Sequence, residues 1–96
     1  MPPSQLAIKT NALKRLIKEK SLYSQEVEDQ SKYVQQLKAS NSDEYELKKQ
    51  IEVLEESKRM VPQVDSKIEA MKKSLKDFLE SYNGDEDVAT AKSLLV

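Results

Sequence analysis

Any chemistry in this chain has to run on carboxylates, serines, tyrosines and lysines, because the sequence contains neither cysteine nor histidine. Their absence removes the thiolate nucleophile, the imidazole base and the usual ligands of zinc and iron. A catalytic pair of carboxylates needs a cleft whose burial raises one pKa. Helices with one glycine and one phenylalanine offer no such cleft. We therefore expect no catalytic residue, no cofactor, no metal site and no enzymatic activity.

Three neighbouring carboxylates, Glu52, Glu55 and Glu56, are the best candidates for cation binding or acid–base work. Their spacing does not fit a calcium loop, which needs oxygen ligands on alternate residues around a tight glycine turn. Glu55 instead precedes Arg59 by four residues, an order that stabilises a helix by roughly 0.2–0.5 kcal/mol. We interpret the cluster as a solvated helix face. The same spacing predicts two further ion pairs, Glu44–Lys48 and Glu69–Lys73.

Basic residues are concentrated near the N-terminus, at Lys9, Lys14, Arg15, Lys18 and Lys20. They form either a solvated face or a docking surface for an acidic protein, and both interpretations stay open. The formal net charge is −1 and no aromatic residues are interleaved for base stacking, so we expect neither nucleic acid nor membrane as a partner. With no apolar run of membrane length and no secretion signal, we expect a cytoplasmic protein.

The elements that carry these residues are helices, because the only helix breakers are Gly84 and prolines 2, 3 and 62. Polar turn formers at 39–43 and 83–85 predict two reversals, with Gly84 in a left-handed conformation. The sequence thus predicts helices over about 4–39, 44–82 and 86–96. Ser4 is the expected cap of the first helix, and Asp43 with Glu46 forms a capping box for the second.

Apolar residues at heptad spacing predict one buried seam on each long helix. The seam of helix 1 contains Leu6, Leu13, Leu16, Tyr23, Val27, Val34 and Leu37, and is interrupted by Lys9, Lys20 and Gln30. The seam of helix 2 contains Leu47, Ile51, Leu54, Val61, Val64, Ile68, Met71, Leu75, Phe78 and Tyr82. Outside both seams lie Tyr33, Tyr45 and Met60, which are the better candidates for partner contact.

Pro62 lies inside the second helix, where it cannot donate to the Lys58 carbonyl and costs about 3 kcal/mol. Its neighbours include no turn former, so we predict a kinked helix without a chain reversal. The resulting fold is all-α: one elongated three-helix bundle domain over 1–96, with left-handed coiled-coil packing of two antiparallel helices. The short third helix docks through Val88, Ala91, Leu94 and Leu95. The end at 27–61 is only two helices thick, where a partner or a second copy could add surface.

Two blocks of the sequence resemble tubulin-folding cofactor A. Residues 8–19 read IKTNALKRLIKE, and residues 45–62 read YELKKQIEVLEESKRMVP. They are specific in combination, because coiled coils at large share heptads but do not share a proline at a fixed distance from a Tyr-x-Leu-Lys opening. The similarity covers nearly the whole chain. Other members of that family continue the last helix somewhat beyond the position of Val96.

The resemblance implies a tubulin-specific chaperone that binds β-tubulin or its folding intermediates without ATP and passes it to other tubulin-folding cofactors. It implies a cytoplasmic, cytoskeleton-associated protein, either monomer or homodimer. Matched polar positions become the candidate contact surface, although each is also an ordinary helix surface position or cap: Lys14, Arg15, Lys18, Glu19, Tyr45, Lys48, Lys49, Glu56, Ser57 and Arg59. A generic coiled-coil assembly or scaffold subunit remains the alternative function.

Overall fold

The fold was analysed in a computed structural model that describes residues 2–40 and 43–96. It contains helices α1 (Gln5–Ala39), α2 (Glu44–Glu80) and α3 (Ala89–Ser93). No strand occurs among the described residues. The all-α prediction is therefore confirmed, as is the order of two long helices followed by a short one.

The predicted caps fix the beginnings of the long helices. The backbone N–H of Ala7 donates to Ser4 Oγ over 3.1 Å, and that of Tyr45 donates to Asp43 Oδ1 over 3.1 Å. Each bond satisfies a donor that has no partner inside its helix. The Glu46 side chain does not serve only as a cap of α2. Its Oε1 accepts a hydrogen bond from Gln50 Nε2, one turn later in the same helix, over 3.0 Å. Two residues of the predicted first reversal, Asn41 and Ser42, lie outside the described residues.

Helix α2 is continuous through Pro62. The prediction that this proline does not reverse the chain is therefore confirmed, and the predicted kink stays a prediction. A helix tolerates the missing N–H when tertiary packing on both sides of the proline holds the neighbouring turns. That packing is present, because Leu54 and Val64 on either side of Pro62 are both buried.

The second reversal differs from its prediction in detail. Helix α2 ends at Glu80, and helix α3 begins at Ala89. The start of α3 is set by a local side-chain turn, in which the backbone N–H of Ala89 donates to Asp87 Oδ1 over 2.9 Å. Gly84 is not left-handed, so that expectation was wrong. An added Cβ there would lie 2.5 Å from the Tyr82 hydroxyl oxygen, and glycine is needed for this close approach.

Both predicted seams are confirmed by burial. Every residue assigned to them is buried or half-buried, whereas Lys58 in the second seam is exposed. Thr10 is also buried, although the heptad assignment did not include it. The heptad spacing therefore predicts the core because it determines which helix face meets the other helix.

The chain divides into two compact units, which are described separately. The three-helix unit comprises Met1–Lys18 and Asp65–Val96. Its buried residues are Leu6, Thr10, Leu13, Ile68, Leu75 and Ala91. Lys9 Nζ donates to Ser74 Oγ over 2.9 Å and lies 5.8 Å from the centroid of the Phe78 ring. Lys9 is therefore accommodated in the seam by an interhelical hydrogen bond and by a cation–π contact.

The two-helix unit comprises Glu19–Val64 and contains only segments of α1 and α2. Among its described residues, Val34, Leu54 and Val64 are buried. Gln30 Nε2 of α1 donates to the backbone oxygen of Gln50 over 3.0 Å and to Gln50 Oε1 over 2.9 Å. Gln30, which interrupts the first seam, is thus accommodated there because its side-chain amide donates hydrogen bonds to α2.

Candidate functional site

One exposed face of α2 brings together most of the predicted contact residues of this helix. Tyr45, Lys49, Glu52, Glu56 and Arg59 follow one another at spacings of four, three, four and three residues, which places them in line along a helix. All five are exposed, and 74% of Tyr45 is accessible. We call this row the α2 stripe. It extends over roughly 21 Å at 1.5 Å per residue.

The N-terminal end of the α2 stripe is concave. Tyr45, Lys48, Lys49 and Glu52 line a depression of about 360 Å³. A tyrosine and two lysines that line the same depression can contact an apolar side chain and an acidic group of one partner. The arrangement is suited to binding a protein surface, and it offers no enclosed cleft for a reaction.

Within the described residues, no charged residue of the α2 stripe takes part in an ion pair. Glu55 pairs with Lys58 over 3.8 Å, so the predicted Glu55–Arg59 pair is not formed. Within the described part of the chain, no carboxylate lies within ion-pair distance of Arg59. Its guanidinium is therefore available for a bidentate contact with a partner carboxylate. Lys73 likewise pairs with Asp77 over 3.2 Å, and not with Glu69 as predicted.

The remaining predicted residues lie elsewhere. Lys14, Arg15 and Lys18 are exposed on α1 in the three-helix unit, where Arg15 borders a depression of about 260 Å³ with Ile8. Glu19 is half-buried in the two-helix unit. Ser57 is half-buried beside the α2 stripe, and its hydroxyl donates to the Val53 carbonyl over 3.0 Å.

A second feature of the two-helix unit was largely missed by the sequence analysis. A groove of about 460 Å³ runs between α1 and α2, and we call it the α1–α2 groove. It is lined by Glu26, Asp29, Gln30, Tyr33, Val53 and Ser57. Of these six residues, the sequence predicts only Tyr33 and Ser57 as partner contacts. The available signal was a second row on α1, Leu22, Glu26, Asp29 and Tyr33, spaced by four, three and four residues.

Neither a metal-binding cluster nor a membrane-spanning helix is found in the described part of the chain. Among residues 2–40 and 43–96, no group of three or more acidic side chains is arranged to hold a metal ion. In that same part of the chain, no helix is both long enough and apolar enough to cross a bilayer.

Comparison with known proteins gives consistent matches over nearly the whole sequence. The family model described as tubulin binding cofactor A matches residues 1–95. Tubulin-specific chaperone A of Saccharomyces cerevisiae is 49% identical over 96 residues, covering 99% of this chain and 91% of the relative. The protein of the same name from Rattus norvegicus is 38% identical over 88 residues, covering 92% and 82%.

Two solved structures share the fold. One is described as Rbl2p, a β-tubulin binding post-chaperonin cofactor; it has a TM-score of 0.89 and 47% identity, covering 96% of this chain and 91% of the other. The other is tubulin folding cofactor A from Arabidopsis thaliana, with a TM-score of 0.80 and 31% identity, covering 94% and 88%.

Proposed function

This chain belongs to the tubulin binding cofactor A family, and we propose on that premise that it is a non-catalytic chaperone that binds free or partly folded β-tubulin through its helix faces. The observation that carries the proposal is the likeness to a β-tubulin binding cofactor, at a TM-score of 0.89 and 47% identity. At this similarity the helices of the two proteins present corresponding faces.

The α2 stripe is the proposed main contact. Tyr45 supplies an aromatic anchor, and interfaces gain much of their energy from such residues. Lys48, Lys49 and Arg59 add positive charge that favours an acidic client. Glu56 is exposed among them and can pair with a basic residue of the client. A rigid helical surface binds with little loss of backbone entropy, because its residues are already ordered.

The proposed mechanism is mass action. A protein that binds one state of its client stabilises that state by RT ln(1 + [L]/Kd), with no covalent step and no nucleotide. Bound β-tubulin would be held until another tubulin-folding cofactor removes it. This proposed role favours a cytoplasmic location alongside the cytoskeleton.

A pull-down with purified β-tubulin, dissociated from native αβ dimer, tests the proposal. We expect the chain to retain dissociated β-tubulin and not intact dimer. The matched variant reverses charge on the α2 stripe, by Lys49→Glu with Arg59→Glu, and should keep its helicity while losing retention. If neither β-tubulin nor a tubulin intermediate is retained by the wild-type chain, the proposed function is wrong.

The alternative, a coiled-coil assembly subunit, is favoured by one observation. Val27, Val61 and Pro62 line an apolar depression of about 370 Å³ in the two-helix unit, and a second copy could cover it. Sedimentation velocity over a range of concentrations decides between the functions. A tight oligomer without affinity for β-tubulin would favour the assembly subunit.

A further inference from the structure

We propose that the α1–α2 groove of the two-helix unit is a docking site for a basic amphipathic helix of the tubulin client. The groove shares no residue with the α2 stripe, and of its lining residues the family resemblance implies only Ser57 as a contact. The inference rests on the proposed function, because it specifies which kind of client segment that function engages.

The floor and walls of the groove are suited to a helix. Tyr33 is 42% exposed and Val53 is 40% exposed, so an aromatic and an aliphatic side chain face solvent from opposite helices. Gln30, which also lines the groove, donates from its Nε2 to the backbone oxygen of Gln50 over 3.0 Å and to Gln50 Oε1 over 2.9 Å. The floor is therefore polar but already hydrogen-bonded. A partner that covers the floor leaves no N–H group of the Gln30 amide without an acceptor.

The charge of the groove indicates that its partner carries positive charge. Glu26 and Asp29 line it, and no lysine or arginine does. Asp29 Oδ1 accepts from Gln25 Nε2 over 2.9 Å, and within the described residues neither carboxylate has an ion-pair partner. Two unneutralised carboxylates beside apolar surface favour a lysine or an arginine flanked by apolar residues.

The length of the acidic row indicates a helical partner. On α1, Leu22 and Tyr33 are exposed and eleven residues apart, with Glu26 and Asp29 between them at heptad spacing. Two apolar anchors separated by three turns, roughly 16 Å, match one face of a second helix that carries apolar residues at the same interval. A strand places alternate residues on one face and would not reproduce this interval.

The architecture of the unit leaves room for such a helix. In the three-helix unit, α3 packs its Ala91 into the core, where this residue is 2% exposed. The described residues of the two-helix unit, 19–40 and 43–64, include no third helix. A groove between two antiparallel helices is where a third helix packs in a bundle, and the client would supply it.

The first test measures the affinity for purified, dissociated β-tubulin of the wild type and of a Glu26→Gln, Asp29→Asn double variant. Both side chains are exposed, so folding should be retained, which circular dichroism checks. We expect the dissociation constant to rise roughly tenfold and its salt dependence to fall, because charged interface contacts govern both. Equal affinity for variant and wild type would overturn the groove proposal while leaving the proposed function intact.

A matched control uses the same helix and the same kind of substitution, in which a carboxylate becomes an amide. Glu28 is exposed and pairs with Lys32 over 3.2 Å, away from the row that contains Glu26 and Asp29. Glu28→Gln should bind β-tubulin as the wild type does. A loss equal to that of the double variant would show a general charge effect and would overturn the assignment to the groove.

A second test locates the partner segment. Since the chain has no cysteine, a Tyr33→Cys variant can carry a single photoreactive crosslinker, and a Lys32→Cys variant serves as control. We expect the crosslink from position 33 to reach a helix of β-tubulin that contains lysine or arginine between apolar residues. A crosslink to a second copy of this chain, or to an acidic or non-helical segment of β-tubulin, would overturn the proposal.

Discussion

Replacement of Thr10 by valine should stabilise the protein. Thr10 is 8% exposed, and its Oγ1 is buried without a hydrogen-bond partner. Valine has nearly the same volume and shape, and the two residues have similar helix propensity. The substitution therefore removes an unsatisfied polar group and leaves the surrounding packing unchanged.

The magnitude follows from the cost of burying such a group. An unpaired hydroxyl in a protein interior costs about 1–3 kcal/mol. We expect Thr10→Val to raise the free energy of unfolding by about 1–2 kcal/mol, because the side chain is not completely buried. For a domain of this size, each kcal/mol raises Tm by about 4–8 °C.

The assay is urea and thermal unfolding followed by circular dichroism at the helix band. The control is Thr90→Val, since Thr90 is exposed and its replacement should change stability by less than about 0.5 kcal/mol. Unchanged or reduced stability of the Thr10→Val variant would refute the reasoning, because it would mean that the hydroxyl has a partner in solution.

Three further variants test the core, the second reversal and the basic surface. Leu54→Asp should lower the free energy of unfolding by at least about 3 kcal/mol and reduce helicity by circular dichroism, because Leu54 is 8% exposed and the carboxylate would have no partner. Gly84→Ala should lower the free energy of unfolding, measured in denaturant, by about 1 kcal/mol, because the added methyl group displaces the Tyr82 hydroxyl from the backbone N–H of Glu86. An equal loss of stability in a Tyr82→Phe background would contradict this cause. Reversing the charges of the predicted basic contact residues should weaken β-tubulin binding and spare folding; equal affinity in a binding titration would argue against them. The residues to change are Lys14, Lys18 and Lys49.

The sequence predicts the core well because heptad spacing alone determines which helix face is buried. Leu13 and Leu75, both assigned to seams, are the two fully buried large side chains. The N-terminal helix boundaries were predictable for a local reason, since the side chains of Ser4 and Asp43 bond to backbone groups two or three residues away.

Features set by contacts between distant or flexible groups could not be predicted in this way. Gly84 is required by the placement of the Tyr82 ring, which the turn composition does not reveal. Helix α3 begins later than predicted because Asp87 forms a local turn before it. Ion-pair choice depends on side-chain rotamers, so Glu55 contacts Lys58 where simple spacing favoured Arg59. Such surface pairs are worth little individually and do not determine the fold.

The candidate site was predictable only in part, for a geometric reason. Residues on one helix, such as Tyr45, Lys49 and Arg59, fall into line by periodicity and can be grouped from sequence. The α1–α2 groove joins Tyr33 to Val53 from different helices, and its composition depends on the register in which the helices pair. The Gln30–Gln50 hydrogen bond displays that register. The residue types at these two positions do not allow this register to be predicted from the sequence.

In a coiled coil, only one row of residues on each helix is buried against the other helix. The seams can therefore stabilise the fold while the other helix faces remain available for binding. In the two-helix unit, the buried described residues are the seam residues Val34, Leu54 and Val64, and the helix circumference away from the seams, as at the α2 stripe, is largely exposed. Charged and aromatic residues can occupy that circumference at small cost, since surface substitutions rarely change stability by more than about 0.5 kcal/mol. A third helix, as in the three-helix unit, would bury part of it. The described part of the two-helix unit contains no third helix, so the exposed faces of α1 and α2 remain accessible there.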